Sequence, residues 1–98
     1  MNYRTTERGF SIYEFKDRYN IPCSLQKSSI ATEDCIWLGV DDADPKIMAS
    51  QIIEGGTGWA KYPIPDSVSL NTRMHLSVEQ VKELIPILQK FVETGEIH

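Results

Sequence analysis

Asn71, Arg73 and His75 stand at alternate positions just ahead of a long helical segment. On an extended chain, alternate residues share a face. A strand here would set an arginine, able to grip an anion through two parallel donors, beside an imidazole that titrates near neutrality. A second polar run comprises Ser24, Gln26, Lys27, Ser28, Ser29 and Thr32 and gathers hydroxyls, an amide and one cation. Such groups can hold a phosphate or another polar ligand. Together the two runs name Ser24, Gln26, Lys27, Ser28, Arg73 and His75 as candidate ligand-binding side chains. The plainer account of the same residues is a solvent-facing strand with its exit loop.

Other groups carry less. His75 with Ser24 or Cys23 makes a nominal nucleophile pair, but no third residue stands at a recognisable spacing. Asp41, Asp42 and Asp44 could hold a divalent cation, yet the glycine and distal glutamate of a calcium loop are missing. A turn followed by a helix cap accounts for them. The glycine-rich Gly55 to Gly58 is not followed by Lys-Ser or Lys-Thr and so is no phosphate loop. Cys23 and Cys35 lack zinc spacing and read as reduced thiols in strands that could approach one another if the strands pair. No metal or cofactor is expected. Among the aromatics, Trp37 lies in an apolar run and reads as core, whereas Trp59 and Tyr62 read as interface residues.

These residues need elements to place them. LSVEQVKELIPILQKFVETG, Leu76 to Gly95, specifies a helix: Ser77 and Gln80 form a capping box and Leu76 with Val81 a staple. Val81, Leu84, Ile85, Leu88, Phe91 and Val92 make an apolar stripe, and Gly95 supplies a left-handed stop. Pro86 falls opposite that stripe and predicts a bend around whatever the helix covers. Residues 1–8 read as extended or frayed. FSIYEF (Phe10 to Phe15) and the alternating Ile21 to Ser28 read as a β-hairpin with Pro22 at a strand start. CIWLGV (Cys35 to Val40) reads as a central strand covered on both faces, and Ser69 to Leu76 as another strand. Asp44 before Pro45 predicts a short helix over 45–53, and Gly58 to Ile64 an edge strand. The expectation is a single α+β domain over residues 1–98. Its antiparallel sheet of about five strands is covered on one face by the C-terminal amphipathic helix.

With 41% apolar residues, 24% charged residues and a net charge of −4, the chain has the composition of an ordinary globular protein. That charge disfavours nucleic acid. No apolar run is long enough to span a bilayer, and MNYRTTERGF holds no apolar signal segment, which favours the cytosol. One helix can cover only one sheet face, so the other face predicts a homodimer or larger assembly.

Three segments resemble small uncharacterised proteins encoded by bacteriophages and prophages: RGFSIYEFKDRYNIPCSLQKSS (Arg8 to Ser29), EDCIWLG (Glu33 to Gly39) and RMHLSVEQVKELIPILQKFVETGEI (Arg73 to Ile97). The resemblance implies a phage accessory role in the cytoplasm of a bacterial host and brings no catalytic residues. It points to a non-enzymatic counter-defence protein acting by stoichiometric binding. Such a protein would sequester a nucleotide-type signal or occlude a host immune protein. The alternatives are a small hydrolase or transferase using His75, and a nucleic-acid-binding accessory protein.

Overall fold

Asp17 organises the first expected hairpin. Its Oδ1 accepts from the amides of Tyr19 (2.8 Å) and Ile21 (3.0 Å). Asn20 turns the chain at φ 63°, a conformation asparagine tolerates better than most residues. The computed structural model describes residues 1–28 and 31–98, so Ser29 of the polar run lies outside the described residues. The hairpin strands are β2 (Ser11–Lys16) and β3 (Pro22–Lys27), with Pro22 at the strand start as expected.

Residues 1–8 are more ordered than their polarity predicts. Asn2–Thr5 forms an edge strand, β1, because Thr6 and Phe10 close a turn. The Thr6 amide donates to the Phe10 carbonyl, the Phe10 amide donates to Thr6 Oγ1, and Gly9 takes φ 87°. β4 (Cys35–Val40) and β7 (Arg73–Ser77) complete an antiparallel sheet in the order β1-β2-β3-β4-β7. The chain is thus α+β, with five strands in its main sheet. β4 is interior in that order, but its residues after Cys35 are only half-buried, not covered on both faces.

Two compact units result: Met1–Asp41 with Arg73–His98, and Asp42–Thr72. In the second, the expected helix over 45–53 does not form. Lys46–Met48 is a strand, β5, paired with β6 (Trp59–Lys61), and only a 3-10 turn, Ala49–Gln51, follows it. A helix that short nucleates poorly, and Gly56 permits the competing reversal. A Cβ on Gly56 would stand 2.7 Å from the Ala49 carbonyl oxygen.

The C-terminal helix, α1 (Val78–Thr94), has the predicted capping box of Ser77 and Gln80 and the left-handed Gly95. It does not lie over its own sheet. Val81 and Leu84 are half-buried, and every helix residue from Ile85 onward is exposed. Ser77 is both the last residue of β7 and the helix cap, so no loop is available to fold the helix back. Pro86 sits within the helix, but no sheet lies beneath it to be wrapped. Among the described residues, no helix is long and apolar enough to cross a membrane.

Candidate functional site

Residues registered across neighbouring strands share a face of the sheet. One row runs Arg4, Ile12, Gln26, Trp37, His75 and the next Asn2, Glu14, Ser24, Gly39, Arg73. Four of the six candidate residues, Ser24, Gln26, Arg73 and His75, therefore stand on one polar face although nearly fifty positions separate the two runs. Ser28 lies just past β3, its amide donating to the Cys35 carbonyl at 2.9 Å, and is buried. Lys27 points to the other face and pairs with Asp34 at 2.6 Å. That contact holds the Asp34 carboxyl below its ordinary range and takes Lys27 out of the site. Asn71 precedes β7 and belongs to the second unit.

The polar face carries a cavity of about 550 Å³, within the usual range for small-molecule sites. Ser24, Gln26, Trp37 and Arg73 line it, as do Arg4 and Arg8. Gly39 stands between Ser24 and Arg73 in the row and contributes no side chain there. Ser24 is only 1% exposed, and its Oγ has no hydrogen-bond partner among the described residues. The buried Trp37 Nε1 is likewise unpartnered. An unmatched buried donor costs about 1–3 kcal/mol, so two on residues that line one cavity are a sizeable local penalty.

The arginines differ in their commitments. Arg4 pairs with Glu14. Arg73 lies 5.0 Å from the centre of the Trp37 ring and Arg8 lies 6.0 Å from that of Phe10. Neither makes an ion pair among the described residues, so both keep their donors for an incoming anion. Carboxylates of Glu7 and Asp41 at the cavity wall provide acceptors for hydroxyl or amino groups. His75 is not on the wall. Its ring stacks on Trp37 at 5.0 Å and 25° and so braces the indole.

Three sequence expectations change here. Trp37 is a half-buried wall of the polar cavity rather than core, because the register turns it away from Leu38 and Ile36. Cys23 and Cys35 lie on adjacent strands, yet Cys23 pairs with Val40 and Cys35 with Ser77, which puts them on opposite faces. Burial pushes both free thiols up, aided by Asp17 and Asp41 at Cys23 and by Glu33 at Cys35. The nominal dyads do not form: Cys23 is on the far face, and Ser24 Oγ bonds to no histidine. Asp44 pairs with Lys46 at 3.5 Å. Trp59 and Tyr62 are exposed.

The residues missed from sequence are Arg4, Arg8, Glu7 and Trp37. The signal was present in NYRT ahead of a turn closed by Gly9: alternation across that turn would have carried Arg4 onto the face of Ile12. No protein-family model, curated protein or solved structure matches this chain.

Proposed function

We propose that this chain is a non-enzymatic binding protein that captures a nucleotide-type anion on the polar face of its sheet. The observation that carries the reading is a cavity lined by the uncommitted Arg8 and Arg73 together with Ser24 and Trp37, whose buried Oγ and Nε1 are unpartnered among the described residues. The wall sets the guanidiniums of Arg4, Arg8 and Arg73 against the carboxylates of Glu7, Glu14 and Asp41, and Arg8 and Arg73, unpaired among the described residues, suit phosphoryl oxygens. Glu7, Asp41 and the Gln26 amide match the hydroxyls and amines of a nucleoside. Among the described residues no general base is hydrogen-bonded to a nucleophile, which supports a ligand held rather than transformed. With the resemblance to phage proteins, this favours sequestration of a nucleotide-type immune signal in the cytoplasm of an infected bacterium.

Calorimetry against cyclic and linear nucleotides, with the matching nucleosides as controls, tests the reading. Tight binding of a phosphorylated member, loss of that binding in Arg73→Ala, and recovery of the ligand unchanged are expected. Binding of no nucleotide would remove the reading, and turnover that vanishes in His75→Ala would replace it with a hydrolase or transferase. A second reading, occlusion of a host immune protein, draws on Trp59 and Tyr62, which are 69% and 48% exposed in the second unit. It predicts that Trp59→Ala abolishes antagonism in cells and leaves nucleotide binding intact.

A further inference from the structure

The opposite face of the sheet carries an apolar row that stays partly exposed. Tyr3, Tyr13, Leu25, Leu38 and Met74 register in a single row across all five strands. None of them is buried, and Tyr3, Tyr13 and Met74 are 42–57% exposed. The helix presents the complementary surface. Ile85, Leu88, Phe91 and Val92 are 53–77% exposed and recur at helical spacing on one stripe. Ile12, Cys23 and Cys35 are the buried apolar side chains among the described residues, few to offset the conformational entropy lost by a chain of this size.

We propose that a second copy of this chain covers these surfaces by exchange: the C-terminal half of α1 from each copy seats on the apolar face of the other's sheet. Three features favour a second copy as the occupant. Both halves of the contact are on one chain, so a two-fold operator satisfies both at once and leaves no open end. The missing loop between β7 and α1 prevents the chain from making the contact with itself. The dimensions also agree. From Ile85 to Val92 the exposed stripe runs about 11 Å, short enough to lie across three of the five strands, spaced about 4.8 Å apart. The exposed parts of the seven side chains with stated exposures amount to on the order of 700 Å² per chain, and two chains together reach the range of about 1,200–2,000 Å² that stable interfaces bury.

Sedimentation equilibrium of the full chain at micromolar concentration is expected to give twice the 11.2 kDa chain mass. Dimers mixed from isotope-labelled and unlabelled chains are expected to show nuclear Overhauser contacts from Leu88 and Phe91 of one copy to Tyr13 and Met74 of the other. Leu88→Asp should weaken dimerisation roughly tenfold to a hundredfold, with the helix retained by circular dichroism. A particle of single-chain mass throughout the micromolar range overturns the proposal and assigns the surfaces to a partner of different sequence. A dimer whose interchain contacts join helix to helix only also overturns it. If Leu88→Asp does not fold, the contacts measured on the unaltered chain still decide.

Discussion

On its polar face the five-stranded sheet buries Ile12, Ser24 and Cys35, while on its apolar face it buries Cys23 alone. This inverts the usual order, in which an antiparallel sheet hides its apolar side and wets the other. The two faces come from the same strands, residue by residue, so strand propensity cannot explain the difference. What differs is the length and chemistry of the side chains. Arg4, Gln26, Trp37 and Arg73 are long enough to wall in the short Ser24, whereas no member of the apolar row is buried. The comparison teaches that burial on this sheet follows the reach of neighbouring side chains rather than their apolar character.

The sharpest way to break the comparison is to charge the apolar row. If that row is covered in the working assembly, Leu38→Asp should destabilise by on the order of 3 kcal/mol or more, because a carboxylate would be buried without a partner. Urea denaturation checks this, and a change within about 0.5 kcal/mol would mean the face is solvated as it stands. Next in size is Arg73→Ala on the polar face. It should lower nucleotide affinity by a factor of roughly ten to a hundred, the worth of a charge-assisted hydrogen bond, with little change in stability. Arg73→Lys should rescue it poorly, since a point charge cannot reproduce a bidentate fork.

Ser24→Ala separates cavity from core by opposite signs. Removing an unpartnered buried hydroxyl should stabilise the free protein by about 1 kcal/mol, as read by thermal unfolding, and weaken ligand binding in calorimetry. Loss of stability together with unchanged affinity would make Ser24 an ordinary core residue. Ser77→Ala removes the helix cap and should cost about 1 kcal/mol, measured by urea denaturation.

The smallest effect is electrostatic. Lys27 lowers the Asp34 carboxyl in the folded chain, so its contribution is present above the ordinary carboxylate value of about 3.9 and fades as pH falls through the lower folded value. Both groups are substantially exposed, and screening keeps the contribution small. Asp34→Asn should flatten that part of an acid-unfolding curve and leave neutral stability nearly unchanged.

Local patterns were readable where one segment satisfies its own requirements. The Ser77–Gln80 capping box, the Gly95 stop and the alternation of Ser24 with Gln26 each depend on residues a few positions apart, and each appears where the sequence places it. The helix over 45–53 failed because its rival, the β5–β6 pairing, gains its hydrogen bonds from residues beyond the glycines, outside any local window. Trp37 was misread for a related reason. An apolar run looks buried on both faces until register assigns alternate members to different neighbours.

By itself, the sequence determined the type of most elements, the polar alternation on two strands and the stripe of the terminal helix. Propensity, capping and periodicity act over short range and are written in adjacent residues. Tertiary structure alone decided that Ser24 and Gln26 meet Arg73 and Trp37, that the two thiols part, and that the helix leaves its own sheet bare. Those outcomes follow from strand order, register and the absence of a loop after β7, which exist only once distant segments have paired.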